Sequence, residues 1–135
     1  MRDTDHRGDN MDFMTAVKSC FSNYITFRGR ASRAEFWYFF LFLVLGSMVT
    51  ILLDGAVFPT QMLSPLNSIF GLVTVLPWLA VSVRRLHDAD RSGWWTMLAF
   101  IPLLGIIVLI VWYCTAGDRG DNRYGADPLS EAVPA

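Results

Sequence analysis

Charge is scarce in this sequence: 17% of its 135 residues are Asp, Glu, Lys or Arg, and the formal net charge is −1. A chain so near neutrality offers no electrostatic footing for nucleic acid or another acidic partner. Cysteine is scarcer still. The two cysteines, Cys20 and Cys114, form no C-x-x-C pair and have no histidine set nearby, so neither a disulfide framework nor a zinc site is indicated. Internal repeats and low-complexity tracts are missing too. No short apolar core follows directly on a basic start, because the first uninterrupted apolar run begins only at Phe36. That pattern is expected of an uncleaved signal anchor rather than a removable leader.

The most informative absence is local. No Asp, Glu, Lys, Arg or His occurs from Phe36 to Leu53, from Gly55 to Val83 or from Trp94 to Cys114. A helix in water needs a charged face, and these stretches have none. With 53% hydrophobic residues in a length that suits one domain, the chain reads as an all-α, polytopic membrane protein with three transmembrane helices. Residues 11–128 are expected to form the single membrane domain, between a disordered polar tail over 1–10 and a loose tail over 129–135.

Phe13, Met14, Val17, Cys20, Phe21, Tyr24, Ile25 and Phe27 recur at helical spacing opposite Asp12, Thr15, Lys18 and Ser19. They predict an amphipathic helix over 12–27, lying in the membrane interface or packed on the protein's own helices. Ser32, Arg33, Ala34 and Glu35 then spell a capping box, in which the Ser32 hydroxyl and the Glu35 carboxylate satisfy orphan backbone donors. The first span follows at 33–53, its apolar body about 27 Å long at the helical rise, and Asp54 and Gly55 end it. Ser64 and Pro65 supply a cap and first-turn proline for a second span at 65–86. Pro77 inside it predicts a kink, tolerated where Thr74 or neighbouring helices take up the freed backbone groups.

Arg84 to Gly93 reads as a compact charged loop. The third run, 94–114, carries Trp94 and Trp95 at one end and Trp112 and Tyr113 at the other, which suggests an aromatic belt at both interfaces. Pro102 and Gly105 interrupt it, so it is one kinked span or a re-entrant pair of half-helices. Two full crossings need about 40 residues, which favours the single span.

Basic residues stay on the side from which a chain is inserted. Arg2, Arg7, Lys18, Arg28, Arg30 and Arg33 precede the first span, none lies between the first and second, and Arg84, Arg85 and Arg91 lie between the second and third. The N-terminus and second loop are therefore expected in the cytoplasm. Three spans export the C-terminal tail, against which Arg119 and Arg123 weigh; a re-entrant third run keeps it inside.

Two segments meet on that face, 27–37 with the pattern F-x-G-R-x-x-R-x-E-F-W and 84–95 with R-R-L-H-D-x-x-R-S-x-W-W. Both patterns resemble domain-of-unknown-function family 805. Pro102, Gly105 and the terminal Asn122-Arg123-Tyr124-Gly125-Ala126-Asp127-Pro128 extend the resemblance over about Phe13 to Pro128. It implies a small bacterial inner-membrane protein, multi-pass, and brings no known activity. Asp118-Arg119-Gly120-Asp121 stands where a Pro- and Gly-rich turn is usual, and Ala126 where a proline is usual, which implies a looser tail.

Arg28, Arg30, Arg33, Glu35, Arg84, Arg85, His87, Asp88 and Arg91 are the candidate site. They either bind anionic lipid headgroups or a membrane partner, or pair among themselves and with Asp90 as an interfacial network. Trp37, Trp94, Trp95, Trp112 and Tyr113 are expected as interface anchors, with a cation cage the lesser reading of the aromatic clusters. His87, Asp88 and Asp90 make a weak set for a metal or an acid–base pair, although His87 has the ordinary titration range of a pH sensor. The apolar runs supply no nucleophile with its base, no metal-ligand set and no Asp, Glu, Lys, Arg or His. No catalytic, metal or cofactor residue is therefore proposed, and ion-coupled transport is disfavoured. The expected function is a non-enzymatic component that binds lipid or another membrane protein. The alternative is a homo-oligomeric channel or transport accessory subunit, lined by Thr74 and the carbonyl gap at Pro77, with Gly46 and Thr50 seating a second helix.

Overall fold

The computed structural model describes residues 11–129, so the expected tail over 1–10, with Arg2 and Arg7, and residues 130–135 of the expected tail over 129–135 lie outside the described residues. The described residues are helical without a strand: α1 (Phe13–Ser22), α2 (Arg33–Val57), α3 (Pro65–Asp88), a 3₁₀ helix (Gly93–Phe100) and α4 (Leu104–Cys114). Two helices, α2 and α3, are long and apolar enough to cross a membrane.

The Asp12 carboxylate starts α1 by accepting the Thr15 N–H at 2.7 Å. Its hydrogen bonding to Thr15 holds the carboxyl below its ordinary range. The helix stops at Asn23, whose side-chain amide returns to the Ser19 carbonyl at 2.8 Å. The expected continuation to Phe27 does not form, and Ile25 and Phe27 are left exposed. Tertiary pairing wins there: Gly29 takes φ +87°, and the Ala31 N–H donates to the Arg84 carbonyl at 3.0 Å, drawing the chain along the end of α3. Ala16 and Cys20 are the buried side of α1. Phe21 meets Phe39 and Phe42 of α2 edge-on at 5.7 and 5.8 Å.

The Ser32 hydroxyl caps α2 by accepting from the Glu35 N–H at 3.2 Å. Only that half of the capping box forms, because the Glu35 carboxylate turns inward to a buried arginine. The helix also runs past Asp54 to Val57. Asp54 is buried instead, accepting the Leu66 and Asn67 N–H groups, each at 2.9 Å. Ser64, in the N-cap position of α3, makes no side-chain cap bond. An ionised carboxylate suits the positive end of a helix better than a hydroxyl does, and the tight α2–α3 connection brings one within reach.

Lower in that pair, the Phe70 ring fills the space a Cβ on Gly46 would need, and the Thr50 hydroxyl lies 3.0 Å from Asn67 Oδ1. The small-residue face of α2 is used within this chain. Helix α3 continues through Pro77 to Asp88, so Arg84, Arg85, His87 and Asp88 are helical and not part of a loop. The Thr74 hydroxyl bonds to the Phe70 carbonyl at 2.8 Å.

The third apolar run is two helical pieces folded on each other. Pro102 and Leu103 make a γ-turn, with the Leu104 N–H donating to the Pro102 carbonyl at 2.7 Å and Leu103 at φ +67° and ψ −67°. At Gly105 a Cβ would collide with the Leu98 carbonyl, so the two pieces pack backbone to backbone. Trp95 and Trp112, expected at opposite membrane faces, lie 5.6 Å apart. Both ends of the hairpin sit at the Asp88 end of α3.

Candidate functional site

Two buried carboxylates organise that end of the molecule. Glu35, in the first turn of α2, accepts from Arg84 Nη1 at 3.0 Å across the α2–α3 contact. Its Oε2 also accepts from the Ser19 hydroxyl at 2.9 Å and the Cys20 thiol at 3.7 Å, which ties in α1. Burial, and then the neighbouring Glu35 charge, pushes the Cys20 thiol far above its ordinary pKa. It stays a protonated donor at physiological pH.

Asp88 is the second node. Arg30 Nε reaches its Oδ1 at 2.9 Å and Arg85 Nη1 its Oδ2 at 2.6 Å. Arg30 Nη2 also lies 2.9 Å from Asp88 Oδ1, and the other contacts of both arginines are with backbone carbonyls. Arg30 holds Gly120 at 2.6 Å, Gly125 at 3.3 Å and also Asp118. Arg85, with a fully buried side chain, holds Tyr113 at 3.1 Å, Ala31 at 3.4 Å and also Thr115. A cation at the C-terminal carbonyls of α4 is favoured by the helix dipole. The Asp88 carboxylate fills the space a side chain on Gly117 would need, so the tail passes it at closest approach.

His87 Nδ1 faces the Gly29 carbonyl at 3.0 Å. A carbonyl only accepts, so that nitrogen carries a proton. The imidazole stacks on Tyr124, centroids 4.0 Å apart and 1° from coplanar. The Asn122 amide donates to the His87 carbonyl at 2.9 Å, and Arg123 Nε to Asp90 Oδ1 at 3.1 Å. The segment 115–129 is therefore tied down over the arginine cluster, where the departures at 118–121 and Ala126 suggested a looser tail. Asn122, Tyr124 and Asp127, which accepts from the Gly120 N–H at 2.8 Å, join the site. Their signal was the terminal motif, which periodicity could not connect to α3. Ser19 and Cys20 had no such signal.

Of the predicted site residues, Arg30, Glu35, Arg84, Arg85, His87 and Asp88 come together in the interior of this cluster. The Arg91 guanidinium sits 4.1 Å over the Trp112 ring. Two predicted arginines stay exposed, Arg28 and Arg33, together with Arg119. Arg33 Nη1 donates to the Cys114 carbonyl at 3.2 Å and has no ion pair among the described residues. Below it a groove of about 550 Å³ is lined by Ala34, Trp37, Tyr38, Leu41 and Cys114. Among the expected anchors, Trp94 and Trp95 are exposed and Trp37 and Trp112 are half-buried, whereas Tyr113 is buried with its ring 4.3 Å from Phe36. The hairpin turns Tyr113 inward. His87, Asp88 and Asp90 are each engaged by a different partner rather than converging on one point.

The family described as "Protein of unknown function (DUF805)" matches residues 24–126. The chain is 45% identical over 111 residues to inner membrane protein YhaH of Escherichia coli K12, covering 81% of this chain and 92% of that protein. It is 44% identical over 113 residues to inner membrane protein YhaI of the same strain, covering 82% and 92%. A more distant relative, the uncharacterized protein YiiR, is 29% identical over 128 residues, covering 76% and 85%. No solved structure matches the chain.

Proposed function

The chain belongs to the DUF805 family, with relatives named as inner membrane proteins, and on that premise we propose that it is a non-enzymatic, multi-pass inner-membrane component that binds anionic lipid headgroups at Arg33. In this reading α2 and α3 cross the bilayer and the hairpin enters and leaves on one side. The N-terminal segment and residues 115–129 then share the cytoplasmic face. The meeting of both hairpin ends at the Asp88 end of α3 supports this reading, in which Arg119 and Arg123 share a side with the other basic residues, as insertion favours.

The observation that carries the lipid reading is the division of labour among the arginines. Arg30, Arg84 and Arg85 are committed to buried carboxylates. Arg33 is exposed at the head of an apolar groove that continues to Trp37 and Leu41, one and two turns along α2. A phosphate at the guanidinium and an acyl chain beside Trp37 fit that arrangement. One such arginine is worth about 1 kcal/mol near an anionic surface, or about fivefold in occupancy. The protein purified with Arg33→Gln is expected to retain about fivefold less phosphatidylglycerol and cardiolipin, while Arg123→Gln leaves the lipid content unchanged. Equal anionic lipid in Arg33→Gln and wild type would refute the site. A reporter fused after Ala135 tests the topology separately: periplasmic activity would exclude the re-entrant hairpin.

A further inference from the structure

Arg33 belongs to two concavities at once. It heads the apolar groove described above, and it also lines a smaller cavity of about 200 Å³ formed with Asp88, residues 116–119, Asp127 and Leu129. The two differ in kind. The groove is aromatic and aliphatic, whereas the cavity carries a second guanidinium, Arg119, and the carboxylates of Asp88, Asp118 and Asp127. Asp88 is committed to Arg30 and Arg85, and Asp127 accepts from the Gly120 and Leu129 N–H groups at 2.8 and 2.9 Å. Asp118 is exposed, and its Oδ2 lies 3.4 Å from the Asn122 amide, beyond the usual range of an N–H···O bond. Arg33 and Arg119 are exposed and have no ion pair among the described residues.

Two guanidiniums on one small cavity suit a phosphate, which accepts from both. A carboxylate only accepts, so whatever the phosphate carries towards Asp118 must donate. Charge narrows the choice further. The arginines that line the cavity or hold Asp88 outnumber its three aspartates by one, so a head with a single negative charge leaves the site neutral. An ethanolamine head adds an ammonium beside Arg119 and leaves the site positive. Phosphatidic acid brings a charge close to two at neutral pH and has no donor arm to reach Asp118. Size excludes the doubled lipid: at about 30 Å³ per water, the cavity has room for a three-carbon polyol and none for the second acylated phosphate of cardiolipin.

We infer that the site at Arg33 selects a phosphodiester lipid with a short polyol head, of the phosphatidylglycerol kind, its phosphate held by Arg33 and Arg119 and its head hydroxyls donating to Asp118. The acyl chains follow the groove past Trp37. This rests on the lipid reading of Arg33 proposed above and adds to it the identity of the head, with Arg119 as a second binding residue and Asp118 as the one that discriminates between heads.

The test uses the full chain in detergent, native mass spectrometry, and four probes with oleoyl chains: phosphatidylglycerol, phosphatidylethanolamine, phosphatidic acid and cardiolipin. Phosphatidylglycerol should bind saturably, one per chain, and about fivefold or more tighter than each of the others, the worth of one well-made hydrogen bond. Arg119→Gln should weaken it about fivefold, as expected for one arginine at an anionic group, and Arg119→Lys should restore most of the loss. Asp118→Ala should weaken phosphatidylglycerol but not phosphatidic acid, closing the gap between them; a change that merely disturbed the fold would weaken both. Should Asp118→Ala fail to fold, Asp118→Asn carries the same comparison. The inference is overturned if phosphatidylglycerol binds no tighter than the other heads, if Arg119→Gln binds it like wild type, or if the preference survives the loss of the Asp118 carboxylate. Four heads that bind alike and are all lost in Arg33→Gln would leave the lipid site standing and remove only its selectivity. Lipid retention that ignores Arg33→Gln would remove both.

Discussion

Tyr24 makes good the hydrogen bond that Pro77 removes: its hydroxyl donates at 2.7 Å to the carbonyl of Val73, four residues before the proline. Proline has no N–H, so that carbonyl lacks its helical donor. The Val73 carbonyl freed by Pro77 is satisfied from within the chain, by a residue just beyond the end of α1.

Tyr24→Phe is expected to cost about 1 kcal/mol of stability in wild type. In a Pro77→Ala background, where the substitution restores a backbone N–H to the helix, the same change should cost much less. A double-mutant cycle by thermal or denaturant unfolding reads the coupling. Equal costs in both backgrounds would show that the Tyr24 bond does not serve the proline.

Removing one partner of the Glu35–Arg84 pair should be far worse than removing both. Glu35→Gln leaves a buried guanidinium without its counter-charge and is expected to cost about 3–5 kcal/mol. Glu35→Gln combined with Arg84→Met should recover much of that loss. Melting temperatures of the purified single and double variants decide the matter, and a double variant no better than Glu35→Gln alone would contradict the pairing.

Gly117→Ala tests the docking of the C-terminal segment. A side chain there meets the Asp88 carboxylate, so either the tail or the Arg30–Asp88–Arg85 cluster must move. Limited proteolysis should cut this variant within residues 115–129 at least tenfold faster than wild type, as expected if about 1.4 kcal/mol of docking is lost. Gly55→Ala, where a Cβ meets nothing within 4 Å, should leave the cleavage rate as it was.

The two cysteines should part company in alkylation. Cys20 is buried and Cys114 exposed, and burial beside Glu35 raises the Cys20 pKa. A raised thiol pKa means less thiolate at any working pH, so Cys20 should stay unlabelled from pH 7 to pH 9 until the protein unfolds, whereas the exposed Cys114 is labelled in the folded protein. Mass spectrometry after treatment with a membrane-permeant maleimide reads both sites. Prompt labelling of Cys20 at pH 7 would remove it from the Glu35 cluster.

Local sequence determined the apolar character of α2 and α3, the start of α2 at Ser32, the proline opening α3 and the interruption at Pro102. Each follows from a run, a cap or a breaker confined to a few neighbouring residues. The basic cluster could be named residue by residue for the same reason, since Arg30, Glu35, Arg84 and Asp88 stand in compact motifs. Their partners could not be assigned. Whether Glu35 closed a capping box or faced Arg84, and whether Asp54 ended its own helix or capped the next, depended on which groups packing brought within 3 Å. Pairing across 49 residues, as between Glu35 and Arg84, leaves no periodic trace. The hairpin shows the same limit: Pro102 and Gly105 marked a break, but only the approach of Gly105 to Leu98 and the anchoring of both hairpin ends at Asp88 set its direction. Breakers interrupt a helix locally, and long-range contacts decide where the chain goes next.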